Sequence, residues 1–168
     1  MRKRETMSPP TPAVHIENAP LERVLCEALE TMAFISPMPL EGECPSQAEP
    51  FLVTIRFTGR HPGELLLAAP RAFGQMLSAN ILAASPDDAE AADGAGDALK
   101  ELANVVCGAV IHDTPGIERD SVEMGLPDCR PLRDDQWAEF LARPGTIAFD
   151  ADGHVIAARF GFEHPASG

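Results

Sequence analysis

Between residues 51 and 112 the hydrophobic period of the chain changes, and that change limits the fold more than any other feature. The run "FLVTIRFTG" is β-rich and alternates in part, and "GRHPG" then turns the chain into "ELLLAA". Residues 51–69 therefore read as a strand pair. From Pro70 the period becomes helical, with Phe73, Met76, Leu77 and Ile81 of "PRAFGQMLSANILA" on one inner face. The acidic "SPDDAEAADGAG" reads as a mobile loop. Beyond it, "DALKELANVVCGAVI" is again a helix.

The flanks extend the same alternation of elements. Residues 1–13 combine Arg2, Lys3 and Arg4 with Pro9, Pro10 and Pro12, and read as a disordered tail before a single domain over 14–164. "APLERVLCEALETMAFIS" is a first helix, with Pro20 in its first turn and Leu21, Val24, Leu25, Ala28, Leu29 and Met32 at helical spacing. Pro37 and Pro39 end it. Residues 120–128 suit a short strand ending at Pro127, "RDDQWAEFLARPG" a small helical insertion, and "TIAFDADGHVIAARFGF" two strands around an Asp-Gly turn. The expected plan is α-β-β-α-α-β-(α)-β-β. The fold class is α+β, antiparallel strands with helices packed on the sheet.

Composition removes several functions. The 168 residues, 45% of them hydrophobic, suffice for one real core, while 13 basic against 26 acidic residues give a net charge of −13. Such a charge argues against nucleic acid or an anionic membrane surface, because binding phosphate needs a clustered positive field. No segment approaches the ~20 apolar residues of a membrane span. The start "MRKRETMSPPTP" lacks the apolar core of a secretory signal, so a cytoplasmic protein is expected. Cys26, Cys44, Cys107 and Cys129 show no CxxC spacing and read as free thiols. His15, His61, His112, His154 and His164 show no paired ligand spacing, so no metal site is expected, and His112–Asp113 reads as a helix terminus. GxSxG, HExxH and a phosphate-cradling glycine loop are all missing.

Attention falls on the helix after the acidic loop. At about 100° per residue from Leu99, the side chains of Leu102, Ala103, Val106 and Val110 lie within about 60° and form the core stripe. Asp97, Asn104, Gly108 and Glu101 fall at about 160°, 140°, 180° and 200°, on the outward face. Glu101 and Asn104 are (i, i+3) neighbours that one small target can touch together. Mid-helix Asn and Gly both oppose helix formation, Gly by ~1 kcal/mol. Gly108 leaves a notch, either for another part of this chain or for a partner's backbone.

The same residues carry a family pattern. "DALKELANVVCG" resembles the helix of the CheC/CheX/FliY chemotaxis phosphatases, whose motif is Asp or Ser, three residues, Glu, two residues, Asn, twenty-two residues and Pro. Asp97, Glu101, Asn104 and Pro127 meet every spacing, since residues 105–126 number twenty-two. The likeness extends loosely over residues 14–162, and the single-motif branch, CheX, is most similar. Aligning "VLCEALETM" with "ALKELANVV" puts Glu27 at Glu101 but Glu30 at Asn104, so the first helix resembles a degenerate copy of the site. After the motif, Gly108 is followed by Ala109 and Val110 where the family often has Asn-Ala, and residues 134–143 resemble an addition.

The resemblance implies a function. The substrate would be the aspartyl phosphate of a CheY-like response regulator. Asn104 would position the attacking water, and Glu101 would dock to the regulator's active-site lysine. Asp97 and Gly108 would complete the docking face, and Pro127 would be architectural with Asp97. The protein would carry no cofactor of its own, Mg²⁺ being held by the regulator, and would form a homodimer through a sheet edge such as residues 146–162. The rival reading is a non-catalytic regulator-binding or flagellar-switch module, which has no need of Asn104.

Overall fold

The structure, a computed structural model, describes residues 19–163. The tail expected over 1–13, the outer limits of the domain expected over 14–164, and His15 and His164 lie outside the described residues.

The first helix, α1 (Ala19–Ala33), is followed by a two-residue strand β1 (Met38–Pro39) and by the expected pair β2 (Pro50–Gly59) and β3 (Gly63–Pro70). Helix α2 (Arg71–Leu82), a short α3 (Ala89–Asp93) and the long α4 (Ala95–Asp113) come next. Strands β4 (Val122–Met124) and β5 (Asp128–Pro131), helix α5 (Asp134–Ala142) and the closing strands β6 (Ile147–Ala151) and β7 (His154–Phe162) complete the domain. All pairings are antiparallel, in the order β1-β6-β7-β3-β2-β4, with β5 also on β2.

Alternation along the strands separates two cores. On one face Val53 pairs with Leu67 and Ile55 with Leu65, and these buried side chains meet α1, α2 and α4. On the other, Leu52, Leu66, Ala68, Val155 and Ala157 are covered by Trp137 and Phe140 of α5. The expected insertion is thus a real helix, and it seals the second face. The β6–β7 turn has positive φ at both Asp152 (56°) and Gly153 (84°), the signature of a type I′ hairpin. Asp150 Oδ1 accepts the Gly153 N–H at 2.8 Å. Gly63 is obligatory for another reason: a Cβ there would lie 2.3 Å from the Gly161 carbonyl oxygen.

Four sequence expectations change. Ile81 is 52% exposed although it shares the helical stripe of the buried Phe73 and Leu77. It occupies the last turn of α2, beyond Ser78, where the α3–α4 junction at Gly94 packs; periodicity gives a face but not how far the partner extends. The acidic loop contains α3, pinned by the buried Ala91. A five-residue helix is too short to show a period. The strand expected over 120–128 does not stop at Pro127 but continues as β5 after an interruption. Finally, β7 is an interior strand, and Met38 and Pro39 pair with Asp150 and Phe149 on the outer side of β6, so the closing pair is only partly an open edge. Pro39 is tolerated there because an edge residue needs no ladder N–H.

Trp137→Ala removes the largest side chain of the second core and is expected to cost about 3–5 kcal/mol, read as a lower urea midpoint by circular dichroism. An unchanged midpoint would show that α5 does not seal the sheet.

Candidate functional site

Helix α4 buries Ala98, Leu99, Leu102, Ala103, Val106, Cys107, Val110 and Ile111 against the sheet and its neighbouring helices. Burial pushes the Cys107 thiol up to about 12, so it behaves as an inert apolar group. The opposite face agrees with the counting of angles. Asp97 and Glu101 are exposed, and Asn104 and Gly108 are half-buried. Among the described residues Glu101 and Asn104 make no side-chain hydrogen bond or ion pair, whereas Asp97 meets Lys100 Nζ at 3.4 Å. Asp97 lies in the first helical turn, where its charge complements the helix dipole, but the N-cap is Gly94 and no side chain caps it.

The corresponding part of α1 differs in chemistry. Glu27, aligned with Glu101, is bound by Arg23 at 2.9 Å, and Glu30 stands exposed in place of the amide. Arg23 also reaches Asp113 at the end of α4, and His112 Nδ1 lies 2.8 Å from Asp113 Oδ1. The contacts with His112 and with Arg23 hold the Asp113 carboxyl below the usual carboxylate range. His112–Asp113 therefore belongs to a clamp between the two helices.

Gly108 and Pro127, the least explained parts of the pattern, now have locations. A Cβ built on Gly108 would meet only Met124 Sδ, at 4.0 Å, an ordinary contact. Packing among the described residues does not require glycine there. It does at Gly74, where a Cβ would lie 2.8 Å from the Ala95 carbonyl oxygen.

Pro127 sits in a β-bulge. Phe57 pairs with Met124 and Thr54 with Asp128, so three residues, 125–127, face only two, Ile55 and Arg56. Proline suits a bulge because it has no N–H to withdraw from the ladder. The Gly125 N–H still reaches the Arg56 carbonyl at 2.7 Å.

The extra residue sets the phase of the edge strand. Met124 and Cys129 are five apart and would point to opposite faces of a regular strand. With the bulge both turn toward α4: Cys129 Sγ lies 3.7 Å from a Cβ built on Gly96, and Met124 stands against Gly108. Asn104 falls between these contacts along the helix, which accounts for its half-burial. Sequence reasoning missed this strand as a wall of the site. The signal available was Gly125-Leu126-Pro127 inside a strand-like run, a composition typical of bulges. It also missed two apolar side chains at the rim, Val105 at 42% exposure and Met124 at 36%.

Among the described residues no group of three or more His, Cys, Asp or Glu is placed to hold a metal, and no helix is long and apolar enough to cross a membrane. The arrangement offers a carboxylate to attract a cation and a carboxamide able to donate and accept, side by side on a rigid helix.

Comparisons with known proteins bear on the fold. Residues 51–130, from the start of β2 into β5, match the family described as chemotaxis phosphatase CheX. No curated protein matches the chain. Among solved structures, a chemotaxis protein CheX from Desulfovibrio desulfuricans is 16% identical, with a TM-score of 0.62 over 88% of this chain and 100% of that one. A putative chemotaxis protein from Desulfovibrio vulgaris Hildenborough is 18% identical, with a TM-score of 0.61 over 89% and 99%. A chain of the CheX–CheY–BeF3–Mg²⁺ complex from Borrelia burgdorferi is 13% identical, with a TM-score of 0.63 over 89% and 100%. Residues 51–130 thus match the CheX chemotaxis phosphatase family, and the chain has the fold of the CheX/CheC proteins.

Proposed function

We propose that this protein hydrolyses the aspartyl phosphate of a CheY-like response regulator, with Asn104 positioning the water and Glu101 docking to the regulator's active-site lysine. The observation that carries the reading is the pair itself: Glu101 and Asn104 sit one turn apart on α4, facing outward, with no side-chain partner among the described residues. The family match spans both residues, and the Borrelia relative is in complex with CheY, BeF3 and Mg²⁺.

An acyl phosphate is already activated, so the phosphatase needs no covalent nucleophile. Water attacks phosphorus, the bond from phosphorus to the aspartyl oxygen breaks, and inorganic phosphate leaves a free carboxylate behind. What the reaction lacks in solution is a water held in line with that bond. The Asn104 carboxamide oxygen accepts a hydrogen bond from the water, and its NH2 donates nearby. Mg²⁺ belongs to the regulator's acidic site in this reading, and Glu101 fixes register through the lysine. Because α4 fixes the backbone of Asn104 and the bulged strand lies beside that stretch of helix, only side-chain freedom remains to be lost on docking. Asp97 and Gly108 extend the docking face, and Pro127 acts through the bulge. The reading also includes cytoplasmic action and a homodimer through the β1–β6 edge. Sedimentation equilibrium tests the dimer, and a mass near 18.0 kDa would refute it.

The decisive measurement is the decay of a phosphorylated receiver domain. Wild-type protein accelerates it; Asn104→Ala is expected to remove about 10²-fold or more of that acceleration while leaving receiver binding nearly unchanged. Thermal stability should hold or rise slightly, because Ala is a better helix former than Asn. Acceleration that survives the substitution refutes the mechanism. No acceleration by wild type with any receiver from the same cell refutes the enzyme and leaves a docking module.

Glu101→Gln is expected to raise KM for the phosphorylated receiver by about tenfold, with kcat at saturation nearly retained. A fall in kcat at constant KM would make Glu101 a catalytic group instead.

A further inference from the structure

The bulged edge strand does more than flank Asn104. It sets Met124 against the Gly108 notch, while Val105 lies about 60° further round the helix on the side away from the strand. Two partly exposed apolar side chains therefore border the one glycine on this face that internal packing does not require. Leu126, 94% exposed, sits in the same bulge but lines a separate groove on the second face of the sheet, with Thr54, Arg56 and Arg130.

We propose that Met124 and Val105 form an apolar clamp over Gly108. It receives an aliphatic or aromatic side chain that the regulator presents beside its active-site lysine, and it sets which regulators are accepted. The inference rests on the phosphatase reading above and adds the residues that select the partner.

Charge supports it. The chain carries −13, and Asp97 and Glu101 make the docking face acidic, with Lys100 beside Asp97 at 3.4 Å. The target is a phosphorylated, acidic site, so long-range attraction does not bring the two surfaces together. Beyond the polar residues Asp97, Glu101 and Asn104, what this face offers a partner is apolar: Val105 and Met124. Methionine suits that role, being unbranched and polarizable and able to repack around related side chains. Gly108 lets the partner's backbone come close enough for the clamp to close.

The test measures kcat and KM for decay of the phosphorylated receiver, using wild type, Met124→Gln, Met124→Leu and Val105→Gln. Met124 and Val105 are partly exposed, so the fold is expected to survive, with circular dichroism as the check. The two glutamine variants are each expected to raise KM about five- to tenfold with kcat kept within about twofold, and Met124→Leu to restore the wild-type KM. A panel of receivers differing beside the lysine should be reordered by Met124→Gln, an effect that a merely structural role would not produce. Wild-type acceleration combined with an unchanged KM in both glutamine variants overturns the clamp and leaves the phosphatase reading standing. Failure of wild type to accelerate any receiver overturns both.

Discussion

The rotational setting of α4 governs the rest of the molecule. Leu99, Leu102, Val106 and Val110 are fully buried, and each contributes about 1.5–3 kcal/mol by leaving water. Turning the helix by a third of a revolution would expose part of this stripe and drive Glu101 toward the core, where an unpaired carboxylate is strongly disfavoured. The apolar stripe therefore fixes where Glu101 and Asn104 point without touching either residue. The role proposed for Asn104, orienting a water, asks for a rigidly held helix, and α4 is buried on one side along its whole length.

The second constraint is one of phase in the edge strand. A single extra residue at 125–127 lets Met124 and Cys129 both face α4, although their spacing assigns them to opposite sides of a regular strand. The bulge thereby gives the helix a wall beside Asn104 and Gly108. Pro127 lies in this bulge, so the role proposed for it is through strand geometry, which would let a proline twenty-three positions from Asn104 share a pattern with it. The α5 helix plays a comparable indirect part: it seals the second face of the sheet on which the whole arrangement stands.

Much of this was legible in the amino-acid order. The period of 3.6 in α4 placed Asp97, Glu101, Asn104 and Gly108 on one outward face, because local helix geometry alone converts spacing into direction. The β2–β3 pair and the β6–β7 hairpin were readable for a similar local reason, alternation together with turn chemistry at Asp152-Gly153. Elements whose formation depends on distant partners were not. Strand β1 is two residues long and exists only because β6 offers an edge. Ile81 has the right period and the wrong fate, since the helix overruns what covers it.

The sequence by itself determined that this is an α+β chain with a polar pair and a glycine notch on the outer face of one helix, because helical and strand periods are set within a few residues. Only the tertiary structure decided that, among the described residues, nothing requires Gly108 to be glycine and Glu101 is unpaired while Glu27 is taken by Arg23, and that a bulge carries Met124 to the rim of the candidate site. Those are facts about contacts between residues remote in the chain. Such contacts depend on strand register and on how far each element extends, neither of which is encoded in any local window.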